Sequence, residues 1–218
     1  MSDKIIDSNM LYHNFALEFL DILPLAGVRR VLDAGCGVGY QSKWFVDNGI
    51  PEVKSLDYEQ RTIFEDLDFV EADIINAPFD DGYFDAVWSH HVIEHVSNPV
   101  LYLIKLRRLL NPTGQLWITV PQIDSVISSG HINSYTMSML IYHLAIAGFN
   151  CKSGKFIKQR SHLRAMVSPS ALYSPMSFED ADLTLVGLSE KDLFPDEIKR
   201  ILVETGRVDD STVDLSKL

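Results

Sequence analysis

Short β-branched and aliphatic runs alternate along the chain with longer stretches in which apolar residues recur at helical spacing. The short runs predict five strands: Arg29–Asp33, Val53–Asp57, Asp68–Ala72, Phe84–Ser89 and Gln115–Val120. The clearest helical stretch is Pro99–Leu110, which is amphipathic and is followed by the turn sequence Asn111-Pro112-Thr113-Gly114. Alternating strands and helices are typical of an α/β fold built on a mostly parallel sheet.

A second group of elements follows the fifth predicted strand. Residues Tyr135–Ala147 predict a helix that ends at Gly148, and two strand-like runs come after it, Phe149–Ile157 and His162–Val167. The short connection between these runs predicts an antiparallel pair at one edge of the sheet. The pattern as a whole therefore predicts a seven-stranded, mostly parallel sheet with an antiparallel edge hairpin.

The residues before the first predicted strand form a separate amphipathic stretch. Apolar side chains between Asn9 and Leu23 are spaced for one or two helical turns. We interpret residues 1–27 as an N-terminal helical lid, with simple packing on the sheet as the alternative. Tyr12 and His13 lie on this helix and could close over a ligand.

Composition narrows the class of protein and its partners. The 218 residues suit one domain, and 46% hydrophobic residues with 22% charged residues are typical of a globular chain. A formal net charge of −11 argues against a nucleic-acid substrate. The sequence shows neither a signal-peptide pattern at its start nor an uncharged run long enough to cross a bilayer. With only Cys36 and Cys151 and no disulfide framework, we expect a cytoplasmic protein with no membrane partner.

Much of the negative charge lies near the C-terminus. Residues 178–218 contain eleven acidic and five basic side chains. We interpret residues 169–218 as an acidic C-terminal extension, which could bind a protein partner or mediate self-association. Within it, Asp196–Glu204 predicts a short helix behind Pro195, and Gly206–Leu218 is expected to be poorly ordered or partner-dependent.

The first predicted strand leads into a loop with three alternating glycines. The sequence runs Val31-Leu32-Asp33-Ala34-Gly35-Cys36-Gly37-Val38-Gly39-Tyr40, with a helix predicted to begin near Tyr40. Glycine tolerates positive φ and lets the main chain approach a ligand closely, and the helix N-terminus presents free N–H groups. The loop therefore predicts a mononucleotide-like cofactor, with an ordinary glycine-rich turn as the alternative.

Two aspartates at the ends of later strands strengthen the cofactor prediction. Asp57 follows Gly39 by 18 residues, close to the interval at which a carboxylate accepts hydrogen bonds from ribose hydroxyls. Asp73 ends the third strand and is followed by Ile74-Ile75, which offers a carboxylate and a backbone amide to an adenine edge. Together they follow loop, sugar and base in chain order, although either aspartate alone could be a strand-end cap.

Several blocks of sequence resemble the class I S-adenosylmethionine-dependent methyltransferases, in particular the type 11 or 12 small-molecule group. The resemblance covers most of residues 28–168, which we interpret as the cofactor-binding domain. The blocks that carry it are the glycine loop, residues 80–89 (DDGYFDAVWS), residues 91–99 (HVIEHVSNP), residues 109–116 (LLNPTGQL), and His131 with Tyr135-Thr136 and Ala147-Gly148-Phe149. It implies a Rossmann-like α/β sandwich that binds S-adenosylmethionine.

The resemblance also implies a role for each matching residue. The glycine loop would hold the methionine part of the cofactor, Asp57 the ribose, Tyr58 one adenine face, and Asp73 the adenine amine. The implied cofactor-binding set is Asp33, Gly35, Gly37, Gly39, Asp57, Tyr58, Asp73, Ile74 and His90. One departure from the family pattern is that Asp57 and Asp73 are only 16 residues apart. The helix between strands two and three is therefore expected to be short or replaced by a loop, as in methyltransferases of saccharide and natural-product pathways.

Histidines follow the two strands that border the expected acceptor side. His91 and His95 come directly after strand four and His131 after strand five, where a parallel sheet opens its ligand crevice. Because imidazole titrates near neutral pH, we predict His91 and His131 as candidate catalytic bases for methyl transfer to a small-molecule acceptor. The alternative is that these histidines cap their segment or orient a loop.

Two other functions fit parts of the sequence. The string His91-x-x-Glu94-His95 also matches an inverted zinc-protease signature, which requires a continuous helix and a third ligand, and which leaves the glycine loop unexplained. The second alternative is a non-catalytic module of the same fold that acts through a partner. We therefore assign S-adenosylmethionine as the cofactor and no metal ligand.

Overall fold

The computed structural model describes residues 15–123, 130–171 and 194–205, with the backbone alone for residues 202–205. The strands are β1 Arg30–Ala34, β2 Glu52–Asp57, β3 Asp68–Glu71, β4 Phe84–His90, β5 Leu110–Pro121, β6 Phe149–Gln159 and β7 His162–Pro169. The helices are α1 over residues 15–20, α2 Tyr40–Asp47, α3 Pro99–Leu109, α4 Met137–Ile146 and α5 Asp196–Thr205, with single 3₁₀ turns at Ile74–Asn76 and Ile93–His95.

The seven strands form one sheet in the order β3-β2-β1-β4-β5-β7-β6. The first five strands of that order are parallel, whereas β7 pairs antiparallel with both β5 and β6. This topology confirms the predicted α/β fold class with its antiparallel edge hairpin. The chain order reverses between the neighbouring strands β1 and β4, and in such sheets ligands bind in the crevice beyond the carboxyl ends of these strands.

Both faces of the sheet are covered, so the central strands β1 and β4 are buried at most positions. On one face, helices α3 and α4 share a hydrophobic cluster with strand residues such as Leu32 and Val87. On the other face, α1 and α2 pack on residues such as Val31, and the Phe19 and Trp88 rings lie 5.4 Å apart. Adjacent residues of β1 thus point into opposite clusters, as the pleat requires.

Local sequence signals determine where the helices begin. Asn98 precedes α3, its side-chain oxygen accepts the N–H of Leu101 at 3.0 Å, and Pro99 occupies the first turn, where no N–H is needed. Thr136 caps α4 in the same way through the N–H of Met139. These caps place the loops after β4 and β5 at the crevice.

The described parts of the two predicted terminal segments pack on the sheet. In α1, Ala16, Phe19 and Leu20 are buried, whereas Tyr12 and His13 lie outside the described residues. Near the other end, Phe194, Ile198 and Ile201 join the cluster of α3 and α4, and residues 206–218 lie outside the described part. The division into residues 1–27, 28–168 and 169–218 stays a prediction. Among the described helices, none is both long and apolar enough to span a bilayer.

Candidate active site

A cavity of about 1390 Å³ lies beyond the carboxyl ends of the parallel strands, and we call it the strand-end cavity. Of the predicted site residues, it is lined by Gly35, Gly37, Asp57, Tyr58, Asp73, Ile74, His90, His91 and His131. Asp33 and Gly39 lie behind its wall rather than in it. The cavity therefore brings together most of the site residues that we predicted from the sequence, although they come from separate loops.

The glycine loop forms one wall through its main chain. The Gly35 and Cys36 N–H groups donate to the Leu56 carbonyl at 2.8 and 3.0 Å, which ties the loop to β2. Gly35 has a φ of +87°, and a Cβ there would collide with a Val92 methyl. Gly37 has a φ of +54°, and a Cβ there would meet nothing within 4 Å. The loop thus leaves an open cradle at Gly37, which fits the close approach of a cofactor.

The Asp57 carboxylate is held rigidly at the end of β2. Its two oxygens accept the N–H groups of Gly37 and Tyr58, each at 2.8 Å, and the residue is only 5% exposed. The Arg61 guanidinium lies 3.6 Å from one of these oxygens. Sequence reasoning missed Arg61, because the loop that returns it to the end of β2 has no helical or strand periodicity.

Asp33 lies directly behind the glycine loop and is 1% exposed. Its carboxylate accepts the Ser42 hydroxyl of α2 at 2.6 Å, which connects the strand before the loop to the helix after it. Burial raises the pKa of Asp33 to about 7, with the negative charge of Asp57 adding to the effect and the Ser42 hydrogen bond opposing it. Asp33 therefore supports the loop from behind.

The predicted adenine region lies along the segments after β2 and β3. Asp73 uses one carboxylate oxygen to accept the Ile75 N–H at 2.8 Å, and Ile74 is buried beside it. Tyr58 is 68% exposed, and its hydroxyl accepts from Arg61 at 3.1 Å. The structure contains no helix between residues 58 and 67, as the short interval predicts, and a Cβ on Gly39 would collide with Leu67 of this segment.

The histidines after β4 occupy the opposite half of the cavity. His91 has a left-handed φ of 56°, its Nδ1 lies 3.0 Å from Glu94 Oε1, and its Nε2 lies 3.1 Å from His162 Nδ1. The His90 ring stacks on Trp88 with 5.6 Å between ring centroids. Burial and the neighbouring His91 lower the pKa of His162 to about 4, so that ring is neutral at pH 7.

Sequence reasoning missed His162. Its signal was available only indirectly, because the residue begins β7 and the antiparallel register pairs it with Pro121 at the carboxyl end of β5. The β6–β7 hairpin therefore places His162 at the rim of the cavity, although β7 is far along the chain from β4.

His95 and His131 form a second histidine pair. Their ring centroids lie 4.8 Å apart, and His95 Nδ1 lies 2.8 Å from the Gly130 carbonyl oxygen. Burial lowers the pKa of His131, which keeps its imidazole neutral at pH 7. Residues Ile93–His95 form a 3₁₀ turn after β4, so the segment lacks the continuous α-helix that the zinc-protease signature requires.

Comparison with known proteins agrees with this geometry. Residues 32–118 match the family described as the methyltransferase domain. The chain is 34% identical over 124 residues to a malonyl-[acyl-carrier protein] O-methyltransferase of Enterobacter lignolyticus, covering 54% of this chain and 49% of that protein.

Two solved structures share the fold. An S-adenosylmethionine-dependent methyltransferase from Archaeoglobus fulgidus has a TM-score of 0.59 at 19% identity, covering 85% of this chain and 88% of the other. The 1,6-didemethyltoxoflavin N1-methyltransferase of Burkholderia thailandensis, solved with S-adenosylhomocysteine and 1,6-didemethyltoxoflavin, has a TM-score of 0.57 at 18% identity, covering 77% and 88%.

Residues 32–118 thus match a methyltransferase domain, and the chain is similar to methyltransferases in sequence and to an S-adenosylmethionine-dependent methyltransferase in fold. One of these structures is named for its dependence on S-adenosylmethionine and the other holds S-adenosylhomocysteine, and the open cradle at Gly37 beside Asp57 fits such a ligand. The chain spans about half or less of the length of the first curated relatives that it matches.

Proposed function

We propose that this protein transfers a methyl group from S-adenosylmethionine to a small-molecule acceptor. The observation that carries the proposal is the strand-end cavity, because it unites the glycine-loop main chain and two aspartates with a set of histidines. The aspartates and the glycine loop follow β1, β2 and β3, whereas His91 and His131 follow β4 and β5. The cavity thus has a cofactor half and an acceptor half on either side of the switch between β1 and β4.

On the cofactor half, we assign each lining residue to one portion of S-adenosylmethionine. The main chain at Gly35 and Gly37 would hold the methionine portion, and the Asp57 carboxylate would accept hydrogen bonds from ribose hydroxyls. Tyr58 would cover one adenine face and Ile74 would supply a backbone contact, and the Asp73 oxygen that does not cap the 3₁₀ turn would accept the adenine amine. The main chain at His90 would contact the amino-acid end.

The chemistry makes few demands on the acceptor half. When bound, S-adenosylmethionine supplies a methyl group already activated by its sulfonium sulfur. The protein has to hold the acceptor atom in line with that methyl group and to accept its proton where it carries one. His91 and His131 line the cavity, and we propose that one of these imidazoles accepts that proton.

The comparisons and the net charge of the chain favour one class of acceptor. The relative from E. lignolyticus is named for a malonyl-[acyl-carrier protein], and the B. thailandensis structure contains a small heterocycle. The formal net charge of −11 favours neither nucleic acid nor another polyanion. A small-molecule metabolite is therefore the acceptor class that we propose.

Two measurements on the purified protein test the proposal. Isothermal titration with S-adenosylmethionine and S-adenosylhomocysteine should show one binding site, and a screen of metabolites with methyl-labelled cofactor should show transfer to at least one of them. Binding without transfer to any acceptor would favour the non-catalytic module. The absence of binding to either cofactor form would contradict the proposed function altogether.

A further inference from the structure

Three potential metal ligands meet in the acceptor half of the strand-end cavity. One donor atom from each of Glu94, His95 and His131 lies within 4.8 Å of the others. Glu94 and His95 belong to the turn after β4, and His131 belongs to the segment after β5. The cluster is therefore separate from the glycine loop, Asp57 and Asp73, which follow β1 to β3.

The Glu94 carboxylate gives an independent indication of a ligand. Glu94 is 0% exposed, and among the described residues its Oε2 has no hydrogen-bond partner, whereas Oε1 lies 3.0 Å from His91 Nδ1. A buried carboxylate oxygen without a partner is costly unless a cation or donor satisfies it. His91 in turn orients the carboxylate, as residues behind a metal ligand commonly do.

The His95 imidazole is held in the tautomer that a metal ligand needs. Because the Gly130 carbonyl oxygen only accepts, the 2.8 Å contact places the proton of His95 on Nδ1 and leaves the Nε2 lone pair available. Gly130 has a φ of +80°, and a Cβ there would lie 3.3 Å from His95 Nδ1, so glycine permits this close approach.

The two segments that carry the ligands are fastened together. The N–H groups of Ile132 and Asn133 both donate to the Glu94 carbonyl, at 2.9 and 3.0 Å. The Asn133 side chain donates to the carbonyls of Ile93 and Val96 at 3.2 and 2.6 Å. His131 is thereby held beside Glu94 by backbone geometry, so the cluster is built into the fold.

We propose that Glu94, His95 and His131 bind a divalent transition-metal ion such as Zn²⁺. One carboxylate oxygen and two imidazole nitrogens suit Zn²⁺ or Co²⁺ better than Mg²⁺, which prefers oxygen ligands. Three protein ligands leave at least one coordination position open toward the cavity, where an oxygen of the acceptor or a water molecule can bind. With the ion bound, His131 is a ligand, and His91 is the remaining candidate base. That use of the metal rests on the proposed methyl transfer, whereas metal binding itself does not.

Metal titration of the purified chain tests the site without any methyl donor. Protein stripped with a chelator should bind one equivalent of Zn²⁺ in calorimetry, bind Mg²⁺ far more weakly, and give a visible absorption band with Co²⁺. His95→Ala and His131→Ala should each weaken Zn²⁺ binding by about 10-fold or more, since even changes behind a metal ligand have effects of that size. His143→Gln is the matched control, because His143 lies on α4 outside the cavity lining, and it should leave Zn²⁺ binding unchanged.

A parallel titration with S-adenosylmethionine separates the two proposals. Loss of Zn²⁺ binding in His131→Ala, with thermal stability and cofactor binding retained, supports the metal site. Absence of Zn²⁺ binding in the wild-type chain, or equal affinity in the wild type and both alanine variants, would overturn the metal site even if S-adenosylmethionine binds. Failure of S-adenosylmethionine to bind a chain that takes up Zn²⁺ would overturn the methyltransferase proposal and leave the metal site standing.

Discussion

The carboxylate of Asp57 accepts the backbone N–H of Gly37 over 2.8 Å, although the two residues are 20 positions apart in the chain. The bond joins the end of β2 to the middle of the glycine loop after β1. It fixes the carboxylate at the edge of the cradle before any ligand arrives, which lowers the ordering cost of binding. The proposed ribose contact and the proposed backbone cradle are therefore one structural unit.

Replacing Asp57 by alanine tests that unit. We expect Asp57→Ala to weaken S-adenosylmethionine binding by about 1.5 to 3 kcal/mol, the scale for losing hydrogen bonds to a charged group. The variant also loses the acceptor for the Gly37 and Tyr58 N–H groups, so the cradle should loosen. Isothermal titration of the wild-type and variant proteins gives the difference directly.

The matched control for this change is Asp81→Ala. Asp81 pairs with Arg108 at 2.8 Å on the exposed surface and does not line the strand-end cavity, so its loss should leave cofactor affinity unchanged. Equal affinity in Asp57→Ala and the wild type would remove the ribose assignment.

Gly37 and Gly49 both have left-handed backbone, and comparing their alanine variants distinguishes an effect on cofactor binding from an effect on folding stability. Gly37 and Gly49 have φ values of +54° and +83°, and a Cβ on either would meet nothing within 4 Å. Alanine at either position should lower the free energy of unfolding by about 1 to 2 kcal/mol, because left-handed backbone disfavours a side chain. Only Gly37→Ala should also weaken S-adenosylmethionine binding, since its new methyl group enters the cavity.

Denaturant unfolding and calorimetry on the two glycine variants check this pair. A loss of cofactor affinity that is the same for Gly37→Ala and Gly49→Ala would show that the effect comes from general destabilisation, and the cradle would lose its support.

The strand pattern was predictable because the central strands contain short aliphatic and aromatic runs, such as Val31-Leu32 in β1 and Ala86-Val87-Trp88 in β4. The exception is β5, which begins at Leu110 rather than Gln115, because the turn sequence Asn111-Pro112-Thr113-Gly114 conceals an irregular pairing. The register with β4 shifts between Phe84 and Ala86 at that point. Turn residues inside a strand lack the alternation of apolar and polar side chains from which the pairing of β5 with β4 could be inferred.

The candidate site was predictable for those residues whose place in the fold follows from the order of the strands along the chain. Asp57 and Asp73 end or follow parallel strands, so their place at one edge of the sheet follows from topology. The contact of His91 with His162 depends instead on the antiparallel register of β5 and β7, and the contact of Glu94 with His131 depends on backbone bonds between two loops. Neither contact is signalled by a hydrophobic period or by a residue spacing in the sequence, so neither could be predicted.

The His131→Ala variant distinguishes an effect on catalysis from an effect on cofactor binding. We expect His131→Ala to reduce turnover about 10²-fold or more while the affinity for S-adenosylmethionine holds, because the residue lies on the acceptor half of the cavity. Single-turnover kinetics with saturating cofactor measures this effect once an acceptor is known. His143→Gln should keep wild-type turnover, and unchanged turnover in His131→Ala would assign that residue to loop structure.

The buried carboxyl of Asp33 should make stability depend on pH in an unusual direction. Burial raises the pKa of Asp33 from an ordinary value of 3.8 to about 7, so between these values the folded protein keeps a proton that the unfolded chain has lost. The folded state then binds more protons, and the free energy of unfolding falls as pH rises from about 4 to about 7 and levels off above that. The contribution is on the order of 4 kcal/mol.

Asp33→Asn tests this coupling because an asparagine oxygen can still accept the Ser42 hydroxyl but cannot ionise. Urea unfolding at pH 5 and pH 8 should show a smaller loss of stability for Asp33→Asn than for the wild type, so the variant gains relative stability at the higher pH. Asp80→Asn, at an exposed position, should keep the wild-type slope and so corrects for the other titrating groups. If the difference between Asp33→Asn and the wild type is the same at both pH values, the Asp33 carboxyl ionises alike in the folded and unfolded states, and its burial behind the glycine loop does not hold its proton.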